Sequence, residues 1–487
     1  MRRVDWQKIL KYLIMFLVPT LVVLTVNHGL DNDSWYVLAQ GRSILEHGIY
    51  HEDVLSMHEG LHAVVQNYAF SVIFYLIYSA FGPAGIYTAM ILLNLLIIWL
   101  LYKICMLLSS KNQTLSMLIA AATDVVLAFG FVVTRAQMID YVVFLLLIWV
   151  LELVIKTKKN GLLMWIPVLS LFLINFHAST WWIIFAIMVA YGIDMLVRQK
   201  RLYQKFNWKA YIGVFGISIV IGLINPYGIE MVTTIFGGFG GLKVLDYVIE
   251  LRSFSPFEGN NLVFYLGIAT AICFYVYGKK KIYLRHLLLF LGFLMMGMTS
   301  IKGMSELILI MFVPVAYIFQ DVKFRPIFNV RKIGRGVLIW SSICLICVTP
   351  AVFGLIAINL QDYPNQPMKE IMDLLDEKTA GWDKSELKVF AGYNLGGYVE
   401  YRGYPAYLDP RGEYYLKSVN GKEDILEELI NLKENPKKIQ EFLDKYDFDY
   451  LITENDDLPG EMVEGRYQKI RGESDDDYKL YEKVDNG

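Results

Sequence analysis

Apolar residues in this chain run in unbroken blocks instead of alternating or recurring every third or fourth position. The blocks cover 12–27, 86–108, 115–133, 138–155, 162–176, 180–197, 209–224, 262–278, 285–300, 305–319 and 337–358. Crossing the hydrocarbon of a bilayer takes about 20 apolar residues of helix. Lipid offers no partner for backbone N–H and C=O groups, so such blocks are expected as helices. The pattern therefore predicts about eleven transmembrane helices. A further run, 68–81, is short for a span and ends at Gly82-Pro83. It is expected as a helix that lies in the interface or re-enters the membrane. Composition agrees, because 55% hydrophobic and 19% charged residues over 487 positions exceed what a soluble surface tolerates.

Charge gives the expected orientation, since cytoplasmic loops collect Lys and Arg. With the N-terminus inside, the inner segments hold 23 basic residues and the outer loops five: Arg42, Arg135, Lys243, Arg252 and Lys302. The reading is N-in, C-out, in the cell membrane. Met1 to Asn27, basic and then apolar, reads as a signal anchor. The four cysteines, Cys105, Cys273, Cys344 and Cys347, lie in or beside apolar blocks, so no structural disulfide is expected.

From Gln361 the composition changes to 30 acidic against 17 basic residues, which predicts a soluble outer domain and argues against nucleic acid as a partner. The expected organisation is a polytopic domain over 1–360, with a first outer loop at 28–67 and the interfacial helix at 68–82, followed by a small α/β domain over 361–487. Within that domain the periodicity predicts helices over 368–377 and 423–446 and short strands over 387–391, 398–401, 406–408 and 450–453. The tail from Gly472 is expected to fray.

On this topology nearly every polar residue near a span end falls on the outer side. The first outer loop carries Asp31, Asp33, Glu46, His47, His51, Glu52 and Asp53. Later turns add Arg135, Gln137 and Asp140, then Asn175 and His177, then Glu250 and Arg252, then Lys302. Ionisable groups near membrane depth are costly and usually functional, so one outer site explains them better than unrelated decorations. Each also has a plainer reading. Asp31 can cap the helix that follows it, Arg135 can pair with Asp140 or reach the headgroups, His177 can be a satisfied polar residue, and Glu250 can pair with Arg252.

The segment Asp31-x-Asp33-x-Trp35-x-x-Leu38-x-x-Gly41-Arg42-x-Ile44-x-x-x-Gly48, then Asp53-x-x-Ser56 and the aromatic run before Gly82, resembles the first outer loop of bacterial membrane proteins related to the GT-C class of glycosyltransferases. The resemblance continues loosely through Arg135-x-Gln137, Asn175-x-His177, Asn225-Pro226-Tyr227-Gly228, Glu250, Gly396-Gly397-Tyr398 and Asp409-x-Arg411. It implies a GT-C-like fold and transfer of a sugar from a polyprenyl-phosphate carrier to an extracytoplasmic acceptor: an envelope polysaccharide, a glycolipid or a protein. It further implies that Asp33 or Asp31 is the general base, the other orienting it or binding a divalent cation. Phosphate leaves already charged and needs cations, for which Arg135, Arg252, Lys302 and Arg42 are the candidates. His177, Asn175, Glu250 and Gln137 complete the candidate set. A flippase or transporter of lipid-linked precursors, and a non-catalytic envelope scaffold of the same fold, stay open as alternatives.

Overall fold

The computed structural model describes residues 6–26, 30–202, 206–237, 261–278, 280–323, 366–454, 458, 463, 465–471 and 478–484. The expected span 337–358, and the site candidates Glu250 and Arg252, lie outside these residues. All ten other apolar blocks are helical. In chain order the helices of the first 320 residues are α1 (Trp6–Val26), α2 (Asn32–His47), α3 (Tyr68–Leu108), α4 (Gln113–Ala128), α5 (Gln137–Thr157), α6 (Trp165–Phe176), α7 (Trp182–Leu202), α8 (Trp208–Ile221), α9 (Ile229–Gly237), α10 (Asn261–Tyr277), α11 (Leu284–Thr299), α12 (Met304–Met311) and α13 (Val315–Ile318). Among the described residues four helical stretches are long and apolar enough to cross a membrane: Tyr68–Leu108, Gln137–Thr157, Ala178–Arg198 and Ile301–Ile318. Six further apolar helices are shorter. Within α3 the run 68–81 is helical as expected and is set off by a kink, because Gly82 sits at φ 61° and Pro83 cannot continue the hydrogen-bond ladder.

The chain forms two compact units: residues 1–28, 87–224 and 249–360 in one, and residues 29–86, 225–248 and 361–487 in the other. In the first, α1 packs on α4, α6 on α8, and α11 on α7 and α12. A buried ion network ties three of these helices together. Arg285 of α11 donates to both oxygens of Glu152 on α5, at 2.6 and 2.9 Å, and to Asp194 on α7 at 2.9 Å. Tyr191 and His286 close on the same Glu152 carboxylate. Charges this deep persist when each is paired and hydrogen-bonded.

The second unit joins residues 29–86 to the C-terminal segment. Its C-terminal elements are α14 (Gln366–Lys378), β1 (Val389–Ala391), α15 (Gly396–Tyr401), α16 (Lys417–Asn420), α17 (Ile425–Glu434), α18 (Ile439–Tyr446), β2 (Tyr450–Glu454), β3 (Tyr467–Arg471) and β4 (Tyr478–Lys483). The sheet order is β1-β2-β4-β3, with β1 parallel to β2 and the other two pairings antiparallel.

Three expectations are corrected here. Residues 398–401 belong to helix α15 and not to a strand. They pack against α2, where Trp35 meets Tyr398 and Tyr401 at ring separations of 4.8 and 4.9 Å. Gly397 permits that approach, since a Cβ there would lie 2.9 Å from the backbone N of Tyr36 and 3.1 Å from the carbonyl O of Asn32. The single helix expected over 423–446 is two helices, α17 and α18, broken at Asn435-Pro436, where proline lacks the N–H a helix needs. The acidic tail returns as β4, which lies between β2 and β3 and not at an edge.

The second unit's core holds one buried cation among three carboxyls. Arg411 donates to Asp53 of the first outer loop at 2.6 and 3.3 Å, to Asp409 at 2.5, 3.0 and 3.1 Å, and to Glu400 at 3.4 Å. Tyr415 adds a hydrogen bond to Asp409. Burial opposes charge on Asp53, but Arg411 and the bonds from Ser56 overcome it and hold the carboxyl below its ordinary range. Burial and the neighbouring Asp409 charge push Glu400 well above the usual range.

Candidate functional site

In the first unit three of the turns that the sequence groups together meet. α5 opens after Thr134-Arg135-Ala136 and carries Gln137 and Asp140 in its first turn. α6 ends at Phe176, where His177 leaves helical geometry at φ −158°, ψ 80°. α11 ends at Thr299 and a short 3-10 turn, Ile301–Gly303, leads into α12. Gly303 is required in that turn, since a Cβ there would lie 2.8 Å from the Met296 backbone.

His177 is the hinge of the cluster. Its Nδ1 lies 2.6 Å from Oδ2 of Asp140, which is fully buried, and its Nε2 lies 3.0 Å from Oγ of Ser179. A carboxylate accepts, so Nδ1 carries the proton in a neutral ring and Nε2 is left to accept from the Ser179 hydroxyl. The resulting order is hydroxyl, imidazole, carboxylate: a base whose tautomer and direction are set by a buried acid. Thr180 also donates to the His177 carbonyl at 3.2 Å.

A second chain of bonds comes from the opposite turn. Gln137 Nε2 donates to Ser305 Oγ at 3.1 Å, and Ser305 Oγ lies 2.9 Å from Glu306 Oε2 and 3.0 Å from the Lys302 carbonyl. The Lys302 ammonium is near enough to act electrostatically on both Asp140 and Glu306. The cluster thus gathers two buried carboxyls, an oriented imidazole, hydroxyls and a cation. Glu306 also borders a narrow cleft whose other walls are apolar: Phe144, Leu145, Ile148, Ile187, Phe293, Leu309 and Ile310.

The predicted residues are distributed as follows. Gln137, His177 and Lys302 share this cluster. Arg135 is half-buried immediately before α5. Asn175 donates to the backbone carbonyls of Leu171 and Ile224, at 2.7 and 3.0 Å, and so holds helix ends together. Asp31, Asp33 and Arg42 lie in the other unit. Asp31 is the N-cap of α2, accepting from the N–H and hydroxyl of Ser34 at 2.9 and 2.8 Å, and Asp33 sits in the first turn of that helix. Arg42 donates to the carbonyls of Tyr401 and Glu400 at the end of α15, at 3.0 and 3.2 Å, where it works as a C-terminal cap. Asn225 and Gly228 form the turn their sequence suggests, with Gly228 at φ +56°. Among the described residues no group of three or more His, Cys, Asp or Glu side chains is arranged to hold a metal ion.

Sequence reasoning missed Ser179 as a partner of His177, and it weighed Asp140 only as an alternative partner for Arg135. The spacing does carry a signal: Asp140 lies one turn inside α5, pointing back toward the helix start, where a residue of a neighbouring turn can reach it.

No family model matches the sequence, and no curated protein is similar to it in sequence. The fold is similar to solved structures. The Archaeoglobus fulgidus oligosaccharyltransferase in its apo form matches with a TM-score of 0.59 at 10% identity, over 91% of this chain and 69% of that one. The same protein tethered with an acceptor peptide containing the NVT sequon matches with a TM-score of 0.55 at 10% identity, over 93% and 69%. ArnT from Cupriavidus metallidurans bound to undecaprenyl phosphate aligns at a TM-score of 0.47 and 11% identity, over 98% of both chains. The likeness to the oligosaccharyltransferase shows a GT-C-like fold.

Proposed function

We propose that the chain is an integral membrane glycosyltransferase, spanning the bilayer about eleven times with its N-terminus inside, that moves a sugar from a polyprenyl-phosphate carrier to an extracytoplasmic acceptor. The observation that carries the reading is the cluster around His177 inside a GT-C-like fold. An imidazole oriented by a buried acid adjoins a lysine in it, and the three turns that build it are those the charge pattern assigns to the outer side.

The chemistry follows from what the reaction needs. The acceptor hydroxyl must lose its proton as it attacks the anomeric carbon, and a carboxylate within hydrogen-bond reach can take it. We assign that role to Asp33, with Asp31 fixing the start of its helix. The carrier phosphate departs as an anion, which Lys302, Arg135 and Arg252 would stabilise by charge. His177, held by Asp140, positions hydroxyl groups through Ser179. One inverting displacement, with no covalent enzyme intermediate, suits this layout. A peptide belongs among the acceptors to be tried beside polysaccharide and glycolipid, because the archaeal oligosaccharyltransferase was solved with one.

The test is release of carrier lipid by purified full-length protein from a panel of polyprenyl-phosphate sugars, with acceptors of the three classes. Wild type is expected to release carrier from at least one donor, and Asp33→Asn to slow it by about 10²–10⁴-fold, the usual contribution of a general base. Equal release by Asp33→Asn rejects the base. Absence of release from every donor and acceptor pair rejects the enzyme.

A further inference from the structure

Where the apolar helices α3 and α4 carry Asn94 and Asp124, the two side chains meet in the interior, away from the cluster at the helix ends. Both are buried, Asn94 at 1% exposure and Asp124 at 0%. Asn94 Nδ2 donates to Asp124 Oδ2 at 3.0 Å. The second oxygen of each group, Asn94 Oδ1 and Asp124 Oδ1, is buried with no hydrogen-bond partner. Among the described residues Asn94 is the side chain that acts on Asp124, and no lysine, arginine or histidine does so.

An ionised carboxylate left unpaired in an apolar interior is far costlier than a neutral acid. Two buried acceptor oxygens with no donor are a further cost. A single proton removes both. With Asp124 protonated, Oδ1–H can donate to Asn94 Oδ1 while Asn94 Nδ2–H donates to Asp124 Oδ2. This is the two-bond pairing of a carboxylic acid with a primary amide, in which each group's donor meets the other's acceptor.

We infer that Asn94 and Asp124 form an intramembrane proton-binding site in which Asp124 carries a proton that the two otherwise unpartnered oxygens can share. The donor set selects the ligand. One carboxyl and one carboxamide supply two free oxygens, whereas a hard metal cation needs six or more oxygen ligands. The bound proton lets two apolar helices share a polar contact without burying a counter-ion.

The test is infrared difference spectroscopy on full-length protein at neutral pH, in H2O and D2O, comparing wild type with Asp124→Asn. Wild type is expected to show the carbonyl stretch of a protonated carboxyl, moved to lower frequency in D2O, and Asp124→Asn to lack it. An asparagine at 124 can rebuild the pair as amide with amide, so that variant should keep a thermal midpoint near wild type, while Asn94→Leu lowers it. Spectra of wild type and Asp124→Asn that coincide in the protonated-carboxyl region overturn the inference. So does an Asp124→Asn midpoint as low as that of Asn94→Leu.

Discussion

Replacing Arg411 with methionine should remove a large part of the stability of the unit that joins residues 29–86 to the C-terminal segment. The Arg411 side chain is 3% exposed and donates to Asp53, Asp409 and Glu400, whose side chains are fully buried. Removing one partner of a buried ion pair costs about 3–5 kcal/mol, because the other charge stays behind unpaired. A second route gives a similar figure. If Asp53 avoids the penalty by taking a proton at neutral pH, its pKa must rise by about three units at about 1.4 kcal/mol each, or roughly 4 kcal/mol. Against a typical total of about 5–15 kcal/mol, that is a large fraction. The assay is limited proteolysis of the full-length protein over a temperature ramp, with cleavage in 361–487 and in the first outer loop mapped by mass spectrometry. Both segments should open together, at lower temperature than in wild type, and adding Asp53→Asn and Asp409→Asn should recover part of the loss. An Arg411→Met protein that resists cleavage like wild type would show that the cluster is hydrated and of little worth, and the reasoning from its burial would be wrong.

His58 is buried against Tyr407, Tyr415 and Tyr446 and donates from Nε2 to the Tyr407 carbonyl at 2.8 Å. Burial pushes its pKa below 6.5, so the stability it adds is present above pH 6.5 and is lost as pH falls through the lowered folded value. Glu400 works the other way: burial and Asp409 raise its pKa, so its contribution is present below 4.5 and is lost as pH rises through the raised value. Protease resistance of the unit against pH should therefore fall on both sides, with His58→Gln flattening the acid limb alone and Glu400→Gln the alkaline limb alone; limbs unchanged by these variants would refute the assignment. Gly397→Val should force α15 off α2 and cost about 1–3 kcal/mol, read as a lowered thermal midpoint, and an unchanged midpoint would mean that the two backbones are not in close contact. Asp140→Leu leaves the His177 ring without its acceptor, and carrier release should slow with the KM for the donor little altered. A change confined to KM would instead make Asp140 a binding residue.

Much of the architecture was legible because lipid imposes a one-dimensional rule. A backbone without water must satisfy itself, so a block of apolar residues long enough to cross is a helix whatever surrounds it, and every such block among the described residues is helical. The turns that carry Gln137, His177 and Lys302 could be grouped on one side because loop charge records orientation, and the structure brings these three into one cluster. What failed was local reading where the partner is distant in sequence. Residues 398–401 look like a strand by composition, yet Trp35, more than 360 positions earlier, and Gly397 make a helix the better packing. The charged tail reads as frayed, yet β2 and β3 both need a central strand to pair with.

The sequence by itself therefore determined the class of protein, the position of its apolar helices and the turns where chemistry could gather, since each depends on hydrophobicity and charge summed along the chain. Tertiary structure alone decided which acid serves which base. Asp140 proved to be the partner of His177, and Asp53 that of Arg411. Hydrogen bonds and buried ion pairs depend on separations of about 3 Å between groups far apart in the chain, and no periodicity records that distance.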